Sequence, residues 1–319
     1  MKVLITGAGG FIGRALVAAL LDAANSGAGA IRPSRLILLD ERFGDVPTDS
    51  RVQPVNGSLT DPDIVARSLE GGVDLVFHLA SVPGGAAEQN FELGLRVNLE
   101  GTLALLEALR LNCGAQRPRL VFASTIGVYG TPLPALIDER TEPAPTMSYG
   151  AQKLMGEILV RDYGRRGFIQ GCSLRLPGIV ARPPAASGML SAFMSDIIRS
   201  LSAGQAFVCP VGAEGRAWWM SRICVVRNLI HAATLPSDVL RRQGTWLLPV
   251  LYASLGEVVS AIGRVIKRDV TGLVRYEPDA ALQSQFASLP PLQCPASVAA
   301  GFASDGSLEN LVQRALEGP

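Results

Sequence analysis

A glycine-rich turn near the start of the chain restricts its fold more than any other feature. Gly7, Gly10 and Gly13 have the spacing GxxGxxG between an apolar strand pattern and an apolar helical pattern. The first glycine of such a turn permits a tight bend, the second lets a pyrophosphate approach the backbone, and the third allows close helix–strand packing. The N–H groups at the start of the helix then stabilise the phosphate charge. The pattern predicts a dinucleotide site formed by Gly7, Gly10, Phe11, Ile12 and Gly13.

Short apolar runs alternate with helical patterns through the first half of the chain. Such alternation predicts an α/β fold, here a Rossmann-type doubly wound parallel sheet covered by helices on both faces. The predicted strands are Lys2–Thr6, Arg35–Asp40, Val52–Asn56, Leu75–Leu79, Leu120–Ser124 and Cys172–Leu176. The predicted helices are Ile12–Ala24, Asp61–Leu69, Glu92–Asn112, Tyr149–Gly164, Ser191–Leu201 and Leu255–Ile266.

The pattern loosens after about residue 177, where prolines separate short elements. We therefore predict a dinucleotide-binding domain over residues 1–177. Residues 178–319 are predicted to form a smaller substrate-binding region, partly interleaved with the core.

Composition excludes several classes of partner. A net charge of +1 over 319 residues gives no electrostatic reason to bind nucleic acid or an anionic membrane. No apolar run reaches the roughly 18–20 residues that cross a bilayer. The first predicted strand begins at residue 2, which leaves no room for a signal peptide, so we expect a cytoplasmic protein.

Cysteine and histidine usage argues against a metal site. Five cysteines are scattered without CxxC spacing, so free buried thiols are expected. The only two histidines, His78 and His231, lie far apart in the sequence. We predict no bound metal.

Asp40 ends the second predicted strand. A carboxylate there can accept hydrogen bonds from ribose hydroxyls and would repel a 2′-phosphate, which favours NAD over NADP. Arg42 follows two residues later and offers a partner for a 2′-phosphate, so the preference is not absolute. The alternative is that Asp40 only caps a turn.

Tyr149 and Lys153 form a YxxxK pattern. Positions i and i+4 of a helix share one face, so the phenol and the ammonium point the same way. A cation about 4 Å away at an effective dielectric near 20 supplies about 4 kcal/mol, enough to bring a phenol pKa from 10 towards neutrality. Thr125 follows a predicted strand, at the sheet edge where ligands bind. The alternative for the pair is an ordinary surface helix.

These motifs together resemble those of the extended short-chain dehydrogenase/reductases. The glycine turn, Asp40, the segment 77–80, the segment 97–102 and the tyrosine–lysine pair match in order and spacing over residues 1 to about 180. The resemblance implies a catalytic triad of Thr125, Tyr149 and Lys153. It also implies cofactor contacts by Ser58, Leu59, Leu79, Ala80, Asn98, Tyr149, Lys153 and Ile179.

The resemblance further implies roles outside the triad. Asn98 would support Lys153 through backbone and water contacts, with a helix cap as the alternative, whereas His78 is expected to be a packed strand residue. The helices Glu92–Asn112 and Tyr149–Gly164 match the pair that forms a homodimer interface in the family.

Substrate expectations come from departures within the family. Members that act on nucleotide-sugars carry an Asn after the sixth strand, where this chain has Gly178, and an acidic pair after an Arg, where this chain has Arg216-Ala217-Trp218. The whole chain is similar to the family's D-erythronate dehydrogenases, which oxidise a small sugar acid at C2 with NAD. Ser81, Thr125 and Tyr149 would then contact the substrate.

The substrate carboxylate would be bound by Arg182 or Arg216 through a bidentate fork, although each arginine can instead be structural. Two alternatives stay open: a nucleotide-sugar epimerase or dehydratase with tightly bound NAD, and a non-enzymatic NAD-sensing protein.

Overall fold

The computed structural model describes residues 1–26, 29–112, 117–182 and 191–317. Its strands are β1 Lys2–Thr6, β2 Arg35–Asp40, β3 Val52–Asn56, β4 Leu75–His78, β5 Arg119–Thr125, β6 Gln170–Leu176, β7 Gly178–Val180, β8 Phe207–Cys209, β9 Arg216–Ser221, β10 Thr245–Leu247, β11 Leu251–Ser254 and β12 Val274–Tyr276. Its α-helices are α1 Phe11–Asn25, α2 Pro62–Ser68, α3 Gly84–Gln89, α4 Phe91–Gly94, α5 Gly101–Asn112, α6 Ser148–Arg165, α7 Phe193–Ser202, α8 Arg222–Thr234, α9 Ser237–Arg242, α10 Leu255–Ile266, α11 Ala280–Phe286, α12 Pro295–Ala299 and α13 Leu308–Leu316.

The chain groups into two compact units. The first contains Met1–Val128, Pro145–Arg175 and Val226–Trp246, and the second contains Tyr129–Ala144, Leu176–Val225 and Leu247–Pro319.

A seven-stranded sheet organises the first unit, in the order β10-β6-β5-β4-β1-β2-β3. The pairs β1–β2, β2–β3, β1–β4 and β4–β5 are parallel. The chain builds outward from β1 through β2 to β3, then crosses back to place β4 on the other side of β1. This reversal opens a crevice at the carboxyl ends of β1 and β4, where such sheets bind ligands. The predicted fold class is confirmed.

Apolar strands explain why this sheet is central. All four residues of β4 are buried, and β1 and β2 each have four buried residues. A strand buried on both faces needs cover on both sides, which the helices supply. On α1 the buried residues recur at helical spacing, with Leu16, Leu20 and Gly13 on one stripe.

The second unit has a sheet of its own, in the order β11-β9-β7, and a small parallel pair, β12-β8. Trp218 and Trp219 of β9 are 2% and 0% exposed. Their indole N–H groups donate to the carbonyls of Pro290 and Ala253 at 2.7 and 3.0 Å. Both tryptophans therefore belong to the core of this unit.

The predicted helix Glu92–Asn112 is wrong in its continuity. Phe91–Gly94 and Gly101–Asn112 are α-helical, but Leu95–Glu100 forms a π-helix between them. The wider turn is closed by a hydrogen bond from the Gly101 N–H to the Arg96 carbonyl. The Thr102 hydroxyl donates to the Asn98 carbonyl at 2.7 Å. A periodicity of apolar residues does not report such a bulge.

The helix α3 was not predicted, because its Gly-Gly start is typical of a loop. The other predicted elements agree with the structure within two residues at each end.

Four cysteines, Cys172, Cys209, Cys224 and Cys294, are free and buried, as predicted, while Cys113 lies outside the described residues. The described part of the chain contains no cluster of three metal-ligating side chains. No helix within it is long and apolar enough to cross a membrane.

Candidate active site

The glycine turn leaves no space for side chains. Gly7 has φ +72°, and a Cβ there would lie 2.6 Å from the Ala80 nitrogen. A Cβ on Gly13 would overlap the Gly7 carbonyl oxygen. The turn is therefore closed by backbone-to-backbone contacts between the end of β1, the start of α1 and the segment after β4.

The start of α1 and the end of β2 fit a dinucleotide. α1 begins at Phe11 with no side-chain cap at Gly10 and no acidic residue in its first turn, so its N-terminus is suited to a phosphate. The Asp40 carboxylate accepts the Gly9 N–H at 2.9 Å and the Arg42 N–H at 3.1 Å. These bonds fix Asp40 beside the turn, while its remaining lone pairs suit ribose hydroxyls.

Gly13→Ala is expected to weaken dinucleotide binding roughly tenfold. The added methyl group would overlap the Gly7 carbonyl oxygen and displace the turn, at a cost of about 1–3 kcal/mol. Isothermal calorimetry measures the affinity. Gly44→Ala is the matched control, since its Cβ would meet nothing closer than the Arg14 side chain at 3.8 Å. Equal affinities in both variants would contradict the role of the turn.

The other predicted cofactor residues follow the sheet edge. Ser58 and Leu59 come after β3, where the Ser58 hydroxyl bonds that of Thr60 at 2.9 Å. Leu79 and Ala80 come directly after β4. Ile179 lies on β7 in the second unit. Their cofactor contacts stay predictions.

His78 has a fixed protonation state. Its Nδ1 accepts the Thr6 hydroxyl at 2.7 Å, while that hydroxyl accepts the Ala80 N–H at 3.3 Å. Its Nε2 donates to the Thr102 hydroxyl at 2.9 Å, because Thr102 itself donates to the Asn98 carbonyl. Burial lowers the His78 pKa to about 3. His78 is therefore neutral and links β1 and β4 to the start of α5.

Tyr149 and Lys153 lie on the first turns of α6. The Lys153 Nζ is 6.0 Å from the centre of the Tyr149 ring and 4.7 Å from that of Phe122. A Cβ on Gly150 would overlap the Gly127 carbonyl oxygen, so α6 begins directly against the turn that follows Thr125. The structure thus brings the three predicted catalytic residues into one region of the first unit.

The Thr125 hydroxyl bonds the backbone of the turn that follows β5. Its hydroxyl oxygen accepts the Gly127 N–H at 3.0 Å. The hydroxyl proton of Thr125 can therefore be donated to a ligand oxygen.

Lys153 interacts with a pair of charged residues, Glu157 and Arg175, that was not predicted from the sequence. Burial lowers the Lys153 pKa to about 7, and the Glu157 carboxylate opposes that shift. Arg175 binds Glu157 with two nitrogens at 2.8 and 3.0 Å, and Ser124 donates to it at 2.5 Å. The spacing of Glu157, four residues after Lys153, was the available signal. Glu157 thus favours the charged form of Lys153. Arg175 neutralises part of the negative charge on Glu157.

Ser81 follows β4, and Asn98 lies in the π-helix. The Ser81 hydroxyl donates to the Asn98 Oδ1 at 3.1 Å. α3 begins three residues after Ser81, and a Cβ on Gly84 would be 3.5 Å from the Tyr149 ring. The support of Lys153 by Asn98 stays a prediction.

The two candidate arginines lie in the second unit. The Arg182 carbonyl accepts from Arg199 at 2.9 Å. The Arg216 guanidinium pairs with Glu257 at 3.2 Å and covers the Tyr252 ring at 5.3 Å. Arg216 therefore already has an anionic partner, and its role in binding a carboxylate stays a prediction.

Known proteins resemble this chain along its whole length. The NAD dependent epimerase/dehydratase family matches residues 3–222. The D-erythronate dehydrogenases of Cupriavidus necator and Haemophilus influenzae are 37% and 34% identical to this chain. The matches cover 99% of this chain and 98% and 99% of those two proteins. The crystal structure of a nucleoside-diphosphate-sugar epimerase from Agrobacterium tumefaciens superimposes with a TM-score of 0.89 at 33% identity, covering 98% of this chain and 92% of that one.

The family match settles the cofactor as NAD, in agreement with the glycine turn and Asp40. Together with the two full-length relatives it identifies an NAD-dependent dehydrogenase. The chain belongs to the NAD dependent epimerase/dehydratase family.

Proposed function

We propose that this dehydrogenase oxidises a small sugar acid, D-erythronate or a close analogue, at C2, with Tyr149 as the general base. The observation that carries the proposal is the grouping of Thr125, Tyr149 and the buried Lys153 at the crevice of the sheet. The D-erythronate dehydrogenases that match nearly the full chain supply the substrate class.

The residues of the group have different tasks. Thr125 donates its proton to the reacting oxygen and orients it. Tyr149 removes the hydroxyl proton as C2 is oxidised. In its protonated form, which Glu157 favours against the effect of burial, Lys153 stabilises the phenolate of Tyr149, and it is expected to hold the nicotinamide ribose. Bound NAD supplies the hydride acceptor for the reaction.

A nucleotide-sugar substrate is the second candidate, because the epimerase from Agrobacterium tumefaciens has the same fold along this chain. The surroundings of Gly178 count against it. A Cβ there would lie 3.1 Å from both the Met194 Cε and the Trp218 carbonyl oxygen. A side chain at this position would require its neighbours to shift by a few tenths of an ångström, which disfavours the asparagine that nucleotide-sugar enzymes carry there.

The deciding experiment is an NADH absorbance assay of the purified protein with D-erythronate and other C4–C6 aldonic acids. A dehydrogenase accumulates NADH, whereas an epimerase or dehydratase that keeps its NAD through the cycle does not. Turnover of a nucleotide-sugar without NADH, and none of the aldonates, would refute the proposal. Repeating the assay with NADP tests the preference attributed to Asp40.

We also propose that the enzyme is a homodimer through α5 and α6. Leu103 and Leu111 on α5 are 40% and 67% exposed, and Met155 and Ile158 on α6 are 39% and 49% exposed. Neighbouring exposed apolar side chains favour a partner surface.

Light scattering is expected to give twice the chain mass of 33.6 kDa. Ile158→Lys is expected to reduce this to a single chain, since it places a charge in the interface. Val298→Lys is the control, at a side chain 58% exposed in the second unit. A single-chain mass for the unchanged protein would exclude the dimer.

A further inference from the structure

Asn98 holds the backbone of Val82 through both ends of its amide. The Val82 N–H is 2.8 Å from the Oδ1 of Asn98, and the Val82 carbonyl is 3.2 Å from its Nδ2. An N–H can only donate and a carbonyl can only accept, so these two bonds fix which end of the amide is oxygen. Asn98 is 1% exposed and lies in the π-helix.

That orientation determines the polarity of Ser81. The Ser81 hydroxyl lies 3.1 Å from the Asn98 Oδ1 and 3.3 Å from the Val82 carbonyl oxygen. Both neighbours only accept, so the Ser81 proton points at the protein. The oxygen of Ser81 can then serve a ligand only as a hydrogen-bond acceptor, opposite to Thr125, whose proton is available for donation.

Gln152 completes the arrangement from the catalytic helix. Its Oε1 accepts the second proton of the Asn98 Nδ2 at 2.8 Å. Gln152 is 1% exposed, and its Nε2 has no hydrogen-bond partner among the described residues. That nitrogen lies next to Gly94, whose added Cβ would be 3.0 Å away.

The unsatisfied donor is thereby placed on Gln152 and not on Asn98. A buried donor without a partner destabilises the structure. With an apolar side chain at position 152 the unsatisfied donor would be the Asn98 Nδ2 itself, so Asn98 would gain by moving towards another acceptor. Ser81 would then lose the partner that fixes its proton.

We propose that Gln152 is a positioning residue which, through Asn98, presents the Ser81 oxygen as an acceptor for a substrate hydroxyl next to the reacting carbon. This inference rests on the proposed function, because it takes Ser81 as a substrate contact. It specifies the substrate class further: a hydroxy acid with a second hydroxyl on the carbon adjacent to C2, and not a 3-deoxy acid.

The test compares two substrates in three proteins. The substrates are D-erythronate and 2,4-dihydroxybutanoate of the same C2 configuration, which lacks the C3 hydroxyl. The proteins are the unchanged enzyme, Gln152→Met, which keeps the side-chain volume, and Ser81→Ala, which removes only the hydroxyl.

The unchanged enzyme is expected to prefer D-erythronate about tenfold in kcat/KM, the effect of one hydrogen bond. Both variants are expected to lose that preference, falling about tenfold on D-erythronate and less than about twofold on the deoxy acid. The double variant is expected to fall no further than either single one, because both changes remove the same contact.

Two outcomes would overturn the inference and are distinguishable. If Gln152→Met lowers kcat/KM equally on both acids, its role is only structural, and the proposed function survives. If the unchanged enzyme oxidises neither acid, the proposed function fails first. The pH profile of kcat/KM is expected to be the same in Gln152→Met as in the unchanged enzyme, since Tyr149 and Lys153 are untouched.

Discussion

Replacing Tyr149 with phenylalanine is expected to lower kcat by roughly 10²–10⁴-fold, the usual contribution of a general base. The ring remains beside Gly84 and on the face of α6 that carries Lys153, so the shape of the site is kept. Only the proton acceptor is lost. Affinity for NAD is expected to stay within about twofold, because the glycine turn and Asp40 are unchanged.

Stopped-flow measurement of NADH formation and calorimetry of NAD binding separate these two effects. Tyr276→Phe is the matched control. It also removes a phenolic hydroxyl, here from β12 of the second unit, and is expected to leave kcat unchanged. A Tyr149→Phe enzyme with full activity would rule out Tyr149 as the base and would favour a regulatory NAD-binding protein.

Replacing Lys153 with methionine is expected to change activity and stability in opposite directions. Activity is expected to fall by at least about 10²-fold, because no cation remains to favour the Tyr149 phenolate. The NAD-free protein is expected to unfold at a higher temperature, since Lys153 is 1% exposed and its charged form is disfavoured there. Glu157 keeps Arg175 as its partner in the variant.

The sign of the pH dependence follows from the Lys153 pKa. Burial lowers it from 10.5 to about 7 in the folded protein. Between these values the unfolded chain binds more protons than the folded one, so the free energy of unfolding rises with pH. The rise in the free energy of unfolding between pH 7 and 10.5 is on the order of a few kcal/mol. Lys153→Met is expected to remove this rise.

Melting temperatures of both proteins between pH 7 and 10 check the prediction. The increase in melting temperature of the variant over the unchanged protein is expected to be greatest near pH 7 and to shrink towards pH 10. A variant that melts lower at every pH would show that the lysine stabilises the fold and that its burial is not the dominant effect.

Local sequence patterns determined the elements that carry the chemistry. The glycine spacing, the apolar strands and the YxxxK pattern each depend on residues close together in the chain, and the glycine turn, the strands and the helix that carries Tyr149 and Lys153 are all present. The parallel sheet also follows from them, because strand–helix alternation leaves few other connections. Leu255–Ile266 was predicted to the residue, and the capping box of Ser254 and Glu257 at its start is a local feature too.

Tertiary structure alone decided the contacts made by single polar groups. The π-helix at Leu95–Glu100 turns Asn98 inward, where it meets Val82 and Gln152, residues 16 and 54 positions away. The pair of Arg175 and Glu157 below Lys153 likewise joins a strand to a helix. Hydrogen bonds depend on distances of tenths of an ångström between distant segments, and burial depends on everything packed around a group. The sequence therefore identified Tyr149 and Lys153, while packing set the lysine pKa and the polarity of the hydroxyls beside them.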